Sequence, residues 1–153
     1  MSRSIPSALA CVAAAAALGL PIPARAVHGG EGMQWSDAPP TLPKGAKMAV
    51  LQGDPTKAGP FVIRLSAPAG YKVPPHSHSQ AENLTVISGS FQVGTGDKVN
   101  VKELKTMGPG AFGSIPGGTN HYAMAKTAAV VQIHGEGPFD IKYANPSDDP
   151  SQK

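Results

Sequence analysis

A chain of 153 residues that is 41% apolar, 15% charged and 5% aromatic has the size of one compact domain, with a core large enough to fold without disulfide staples. Eighteen Gly and sixteen Pro stay short of the level that signals wholesale disorder, which excludes a fibrous or low-complexity chain. Thirteen basic and ten acidic residues give a net charge of +3 with no basic run, so no nucleic-acid partner is expected.

In chain order the first feature is a leader. Arg3 precedes an apolar run of 13 residues, Ala8 to Leu20, followed by Pro21, Pro23 and the small-residue stretch Ala24-Arg25-Ala26. This pattern predicts a secretory signal peptide over 1–26 and a periplasmic or secreted protein. The run falls short of the ~20 residues a spanning helix needs, and no later segment approaches that length, so no membrane span is expected. Cleavage would remove Arg3 and Arg25 and leave eleven basic and ten acidic groups, a net charge of +1. It would also remove Cys11, the single cysteine, which rules out a thiol nucleophile and a cysteine-based metal site in the mature chain.

Residues 27–45 read as a Gly- and Pro-rich arm, with Trp35 expected to pack it onto the domain. The domain itself, 46–143, is a succession of short β-branched or apolar runs: Lys47 to Leu51, Phe61 to Ser66, Leu84 to Ile87, Ser90 to Val93, Lys98 to Leu104, Ala111 to Ile115, His121 to Ala125, Ala129 to His134 and Phe139 to Tyr143. Turn chemistry separates them, as at Gly53-Asp54-Pro55, Ser88-Gly89 and Pro116-Gly117-Gly118, and no helical period survives past the leader. The expected fold is a single all-β domain, a sandwich or barrel. The tail, 144–153, has too little apolar surface to order itself and is expected to be flexible.

Two turn-bounded blocks concentrate ligand-type side chains. In the first, Gly70 to Gly89, His76 and His78 stand two apart, which on a strand puts them on one face; Glu82 joins them if the chain bends before the strand that starts near Leu84. In the second, a Pro-Gly-Gly turn feeds His121 into a new strand. Three imidazoles and a carboxylate suit one divalent transition-metal ion, Mn, Fe, Ni, Cu or Zn. Alone, a His-x-His pair is most simply a solvated loop; the fixed position of Glu82, the bracketing glycines and the separate delivery of His121 shift the balance toward a metal site.

These blocks resemble the two motifs of the cupin superfamily. The first motif, Gly, five residues, His-x-His, three residues, Glu, six residues, Gly, is met by Gly70, His76, His78, Glu82 and Gly89. The second, Gly, five residues, Pro-x-Gly, two residues, His, three residues, Asn, is met by Gly110, Pro116, Gly118 and His121, with Ala125 in place of the Asn. The resemblance implies a cupin-type jelly-roll β-barrel over about 46–143, with His76, His78, Glu82 and His121 as metal ligands. It admits dioxygenase, oxidase, decarboxylase, isomerase and lyase activities.

The leading functional reading is a secreted metal-dependent oxidoreductase of dioxygenase, oxidase or decarboxylase type, acting on a small oxygenated organic molecule at the metal. The alternative is a non-catalytic periplasmic module that senses, stores or delivers a metal or small ligand. Exposed sheet edges would also let the barrel pair with a second copy as a homodimer. No catalytic residue is assigned beyond the metal set. Gln80 and Tyr122 are adjacent to the ligand-type residues and are weaker candidates to touch a bound molecule. Arg64 and His134 are expected to be exposed and structural respectively. His28 and the scattered Met33, Met48, Met107 and Met124 carry no site. Without a GxSxG, a phosphate loop or a CxxC, serine-hydrolase, nucleotide and dithiol chemistry lack support.

Overall fold

The computed structural model describes residues 32–153; the expected leader, His28 and the start of the arm lie outside the described residues. Eleven strands follow one another: β1 (Ser36–Asp37), β2 (Lys47–Gln52), β3 (Gly59–Ala67), β4 (Lys72–Ser77), β5 (Glu82–Ser88), β6 (Phe91–Thr95), β7 (Lys105–Met107), β8 (Phe112–Ile115), β9 (His121–Ala125), β10 (Ala129–Gly137) and β11 (Lys142–Tyr143). They form two antiparallel sheets, one ordered β1-β2-β3-β10-β5-β8 and the other β11-β4-β9-β6-β7. The expected all-β jelly roll is what the chain adopts. Among the described residues no helix is long and apolar enough to cross a membrane.

Strict alternation drives the first sheet. On β3, Phe61, Ile63, Leu65 and Ala67 are buried while Val62, Arg64 and Ser66 turn outward, and the register sets Ile63 against Ile133 and Leu65 against Val131 of β10. Stacked against the inner face of the second sheet, with Val73, Phe91 and Ala125, these side chains form one continuous core. Fully burying each large apolar side chain contributes ~1.5–3 kcal/mol, and that gain holds the two layers together.

The second sheet departs from alternation at one informative place. Pairing of β4 with β9 runs Lys72 to Met124 and Val73 to Ala123, then resumes one residue out of step at His76 to His121. Pro74 and Pro75, which have no N–H to give the ladder, occupy this bulge. Without it, Val73 and residues 75 and 77 would share the inner face. The extra residue reverses the parity, and His76 and His78 turn inward instead. The paired prolines, which discourage a strand reading of Lys72–Ser77, are therefore the device that aims the histidines.

Other departures from expectation have similar local causes. Lys98 to Leu104 is a turn-rich loop and not a strand; Asn100 accepts the Lys102 N–H through its side chain at 3.1 Å and donates to Glu103 at 2.8 Å, and the strand begins only at Lys105. Phe139 to Tyr143 contributes just two strand residues, Lys142 and Tyr143. Trp35 is exposed and does not anchor the arm. That role falls to Ala38, Leu42 and Ala46 against the core and to the phenols of Tyr71 and Tyr143, which donate to the Pro43 and Thr41 carbonyls at 2.7 Å each. The tail forms two short 3-10 turns, Pro146–Asp148 and Pro150–Gln152, capped by the side chains of Asn145 and Asp149 and burying nothing.

Candidate metal centre

His76 stands near the end of β4, His78 just after it, Glu82 at the first position of β5 and His121 at the first position of β9. Two glycines serve the turns around these strands, one at the far end of β5 and one beside the cluster. Gly89 closes β5 with φ of +77°, and a Cβ there would lie 2.1 Å from the Ala128 carbonyl oxygen. Gly118, with φ of +76°, donates its N–H to the His78 carbonyl at 2.8 Å and so ties the turn before His121 to the His78 backbone.

All four side chains are buried, His76 to 5% exposure, His78 to 6%, Glu82 to 5% and His121 to 2%. The His76 and His121 rings lie 4.2 Å apart between centroids, His76 and His78 5.0 Å, and His78 and His121 5.3 Å. One ring nitrogen from each histidine lies within 4.8 Å of those of the other two, a grouping that could hold a metal ion. Glu82 Oε2 sits 3.0 Å from His121 Nε2 and 3.4 Å from His78 Nε2. The three histidines singled out in the sequence thus converge, and the Glu82 carboxylate lies against two of them.

Hydrogen bonding fixes the orientation of each ring. Nδ1 of His76 faces the Pro74 carbonyl at 2.7 Å, Nδ1 of His121 faces the Thr119 carbonyl at 3.0 Å, and Nδ1 of His78 faces the Asp140 carbonyl. A carbonyl oxygen only accepts, so each Nδ1 carries the proton, and in the neutral ring Nε2 presents the lone pair. Two of these lone pairs are directed at a carboxylate oxygen that also only accepts. Such a cluster needs a cation between its acceptors, either protons or a metal ion.

Electrostatics follow from the same geometry. Burial, with His121 adding to it, pushes His76 down from 6.5 to about 3, so this ring is neutral at physiological pH. Burial would raise the Glu82 carboxyl, but hydrogen bonds from His121 and then His78, when these rings also carry a proton on Nε2, outweigh it and hold the group at about 2. Burial would lower His121, and the Glu82 carboxylate overcomes that and raises it. Three imidazoles that could share one ion, with an ionised carboxylate against two of them, are groups suited to a divalent transition metal.

One participant had no spacing signal in the sequence. Asp140, 62 residues beyond His78, offers its main-chain carbonyl to His78 Nδ1, while its carboxylate accepts the Ser79 N–H and the Ser79 hydroxyl at 2.7 Å each. Phe139 stacks on the His78 ring at 4.1 Å and packs on Phe61 at 5.0 Å. The segment after β10 therefore holds His78 from two sides.

The remaining candidates lie elsewhere. Gln80 is exposed. Tyr122 points away from His121; its hydroxyl accepts the Asn100 N–H and donates to the Asn100 carbonyl, both at 3.0 Å, so it clamps the loop before β7. Arg64 is part-buried on the outer face, donating to Gln132 at 3.2 Å and contacting Met33 Sδ at 3.4 Å. His134 lies on the same outer face against Phe112. Ala125, at the missing Asn position, is fully buried and bonds to Gly70 and Tyr71 only through its backbone.

Comparison with known proteins agrees with this architecture. The family described as ChrR cupin-like domain matches residues 24–140. The polyketide cyclase RemF from Streptomyces resistomycificus is similar in structure, with a TM-score of 0.68 at 17% identity over 84% of this chain and 90% of that one. A putative acetylacetone dioxygenase from Methylibium petroleiphilum PM1 gives 0.59 at 17% identity over 77% and 79%. A cupin 2 conserved barrel domain protein from Rhodopseudomonas palustris gives 0.58 at 15% over 76% and 81%. At such identities the likeness speaks for the fold. Among curated proteins none matches the chain.

Proposed function

The chain belongs to the ChrR cupin-like domain family, and from that premise we propose that it is a metal-binding cupin in which His76, His78, Glu82 and His121 ligate one divalent transition-metal ion. The observation that carries the reading is the pair of Nε2 lone pairs, from His78 and His121, set 3.4 and 3.0 Å from Glu82 Oε2. Protons alone would satisfy it only by charging buried rings. A bound metal ion would supply Lewis acidity and, for Mn or Fe, a redox couple. Around it the chain's own groups orient and insulate: backbone carbonyls lock the rings, Glu82 offsets positive charge, and Phe139, stacked on His78, and Leu84, on the same face of β5 as Glu82, keep water out.

The proposed activity is that of an oxidoreductase of dioxygenase, oxidase or decarboxylase type on a small oxygenated organic molecule. Similar folds include a putative acetylacetone dioxygenase and an oxalate decarboxylase from Bacillus subtilis, which supports this choice of chemistry. Low exposure of all four residues, 2–6%, favours a second reading, a module that holds metal or ligand without turnover. The proposed setting is outside the cytoplasm, supported by the leader pattern of residues 1–26. Oxygen consumption and carbon dioxide release, measured on metal-loaded protein against small oxo- and hydroxyacids, separate the two readings. Turnover that disappears in His121→Ala supports the enzyme, and stoichiometric metal without turnover supports the module.

A further inference from the structure

A cavity of ≈ 360 Å³ opens at the seam between β7 and β8, the unpaired edges of the two sheets. Its inner wall is apolar, with Leu84, Val93, Met107 and Ile115, and Thr95 completes it. Two of these residues connect it to the histidine cluster. Thr95 pairs directly with His121, and Ile115 pairs directly with Glu82. Directly opposed residues share a face with Cβ atoms ~5 Å apart, so the cavity floor is one side chain away from the cluster.

Lys105 breaks the apolar lining. It stands opposite Val93 on β7, and Val93 packs against the core, so Lys105 projects from the inner face of its sheet into the cavity mouth. Its neighbour Thr106 turns the other way, accepting from Gln92 at 2.9 Å. Among the described residues the Lys105 ammonium has no ion-pair or hydrogen-bond partner. Glu103 also reaches the rim, but its carboxylate accepts from Asn100 Nδ2 at 2.8 Å. From Lys105 to His121 the sheet runs two strand spacings across and two residues along, about 12 Å between α-carbons, which the side chains reaching inward shorten to the span of a few-carbon molecule.

We infer that Lys105 is the anion-binding post of a substrate pocket, and that the ligand is a small organic acid whose carboxylate meets Lys105 at the mouth while a second oxygen donor reaches the histidine cluster. The far contact rests on the metal-site reading; the Lys105 contact does not. An inward lysine on an edge strand also has a simpler purpose, to deter edge-to-edge pairing, and the test distinguishes the two.

The test is calorimetric titration of the full chain with malonate, succinate and glutarate, using protein freed of metal by chelator and dialysed, then protein loaded with Mn²⁺. At least one dicarboxylate binds metal-free protein saturably, and Lys105→Gln weakens it about tenfold, the scale of one charge-assisted hydrogen bond. Lys105→Arg restores most of the affinity, Glu103→Gln strengthens it by about twofold by removing a like charge, and neutral malonamide does not compete. Unchanged affinity in Lys105→Gln, equal binding of malonamide, or no saturable binding of any dicarboxylate overturns the inference; new self-association of Lys105→Gln in sedimentation with unchanged binding assigns the lysine to edge protection. A further gain on Mn²⁺ loading that is lost in His121→Ala supports the far contact at the metal, and its absence overturns that contact and leaves both the Lys105 result and the metal content of the site standing.

Discussion

Glu82→Gln should stabilise the metal-free protein and destabilise the metal-loaded one. In the metal-free chain with both rings neutral, His78 and His121 each commit Nδ1–H to a backbone carbonyl, leaving two Nε2 acceptors 3.4 and 3.0 Å from the Glu82 Oε2 acceptor. An amide nitrogen in the place of Oε2 carries two hydrogens, one for each lone pair, and removes a buried charge. Satisfying two buried acceptors is worth ~2 kcal/mol, which in a domain of this size raises Tm by about 6 °C. With metal at ~100 times Kd the parent gains ~2.7 kcal/mol, and the variant, lacking the anionic ligand, gains far less, so the order of the two reverses. The pH dependence adds a control. His121 is raised above its ordinary 6.5 by Glu82, so its contribution to the parent is complete below 6.5 and fades as pH rises through the raised value; the advantage of the variant should shrink at pH 5. Thermal melts by circular dichroism, at both pH values, with chelator dialysed out and with Zn²⁺ added, read all four states. A variant less stable than the parent in the metal-free protein at pH 8 would refute the arrangement of two Nε2 lone pairs facing the carboxylate.

Acid should unfold the metal-free protein early. Both His76, depressed from 6.5 to about 3, and Glu82, depressed from 4.5 to about 2, bind fewer protons folded than unfolded, so their stability is present above the unfolded values and is lost as pH falls from 6.5 toward 2; urea midpoints flat between pH 7 and 4 would contradict this. Asp140→Ala releases the Ser79 N–H and hydroxyl and loosens the carbonyl that holds His78, and metal affinity should fall about tenfold while His121→Ala abolishes it, as read by competition with a chromogenic chelator; wild-type affinity in Asp140→Ala removes Asp140 from the account. Tyr122→Phe deprives the Asn100 N–H and carbonyl of their shared partner, with an expected loss of ~1–2 kcal/mol and faster amide exchange at Asn100, whereas unaltered exchange would show that the clamp holds nothing.

How far the sequence carries depends on whether a residue's task is set by near neighbours. Phe61 to Ser66 and Ala129 to His134 alternate so regularly that their strands and buried faces follow directly, and the spacing of His76, His78, Glu82 and His121 lies within two short blocks. The paired prolines at 74 and 75 mislead because they break the backbone pattern of a strand while serving as its bulge. Val99 and Val101 mislead in the opposite sense: β-branched side chains suggest a strand, but no edge lies beside them and they end 57% and 71% exposed. Trp35 shows that size alone does not make an anchor, since the smaller Ala38 and Leu42 face the core. Asp140 and Lys105 act through partners far along the chain, and only the register of the folded sheets brings them to the site.

The most direct measurement is elemental analysis of protein purified without chelator or affinity metal, repeated on His76→Ala and His121→Ala. The expected result is about one divalent transition-metal ion per chain in the parent and its loss in both variants. A parent free of metal even after incubation with Mn, Fe, Ni, Cu and Zn, or variants that keep the full complement, would contradict the assignment of the four residues as its ligands.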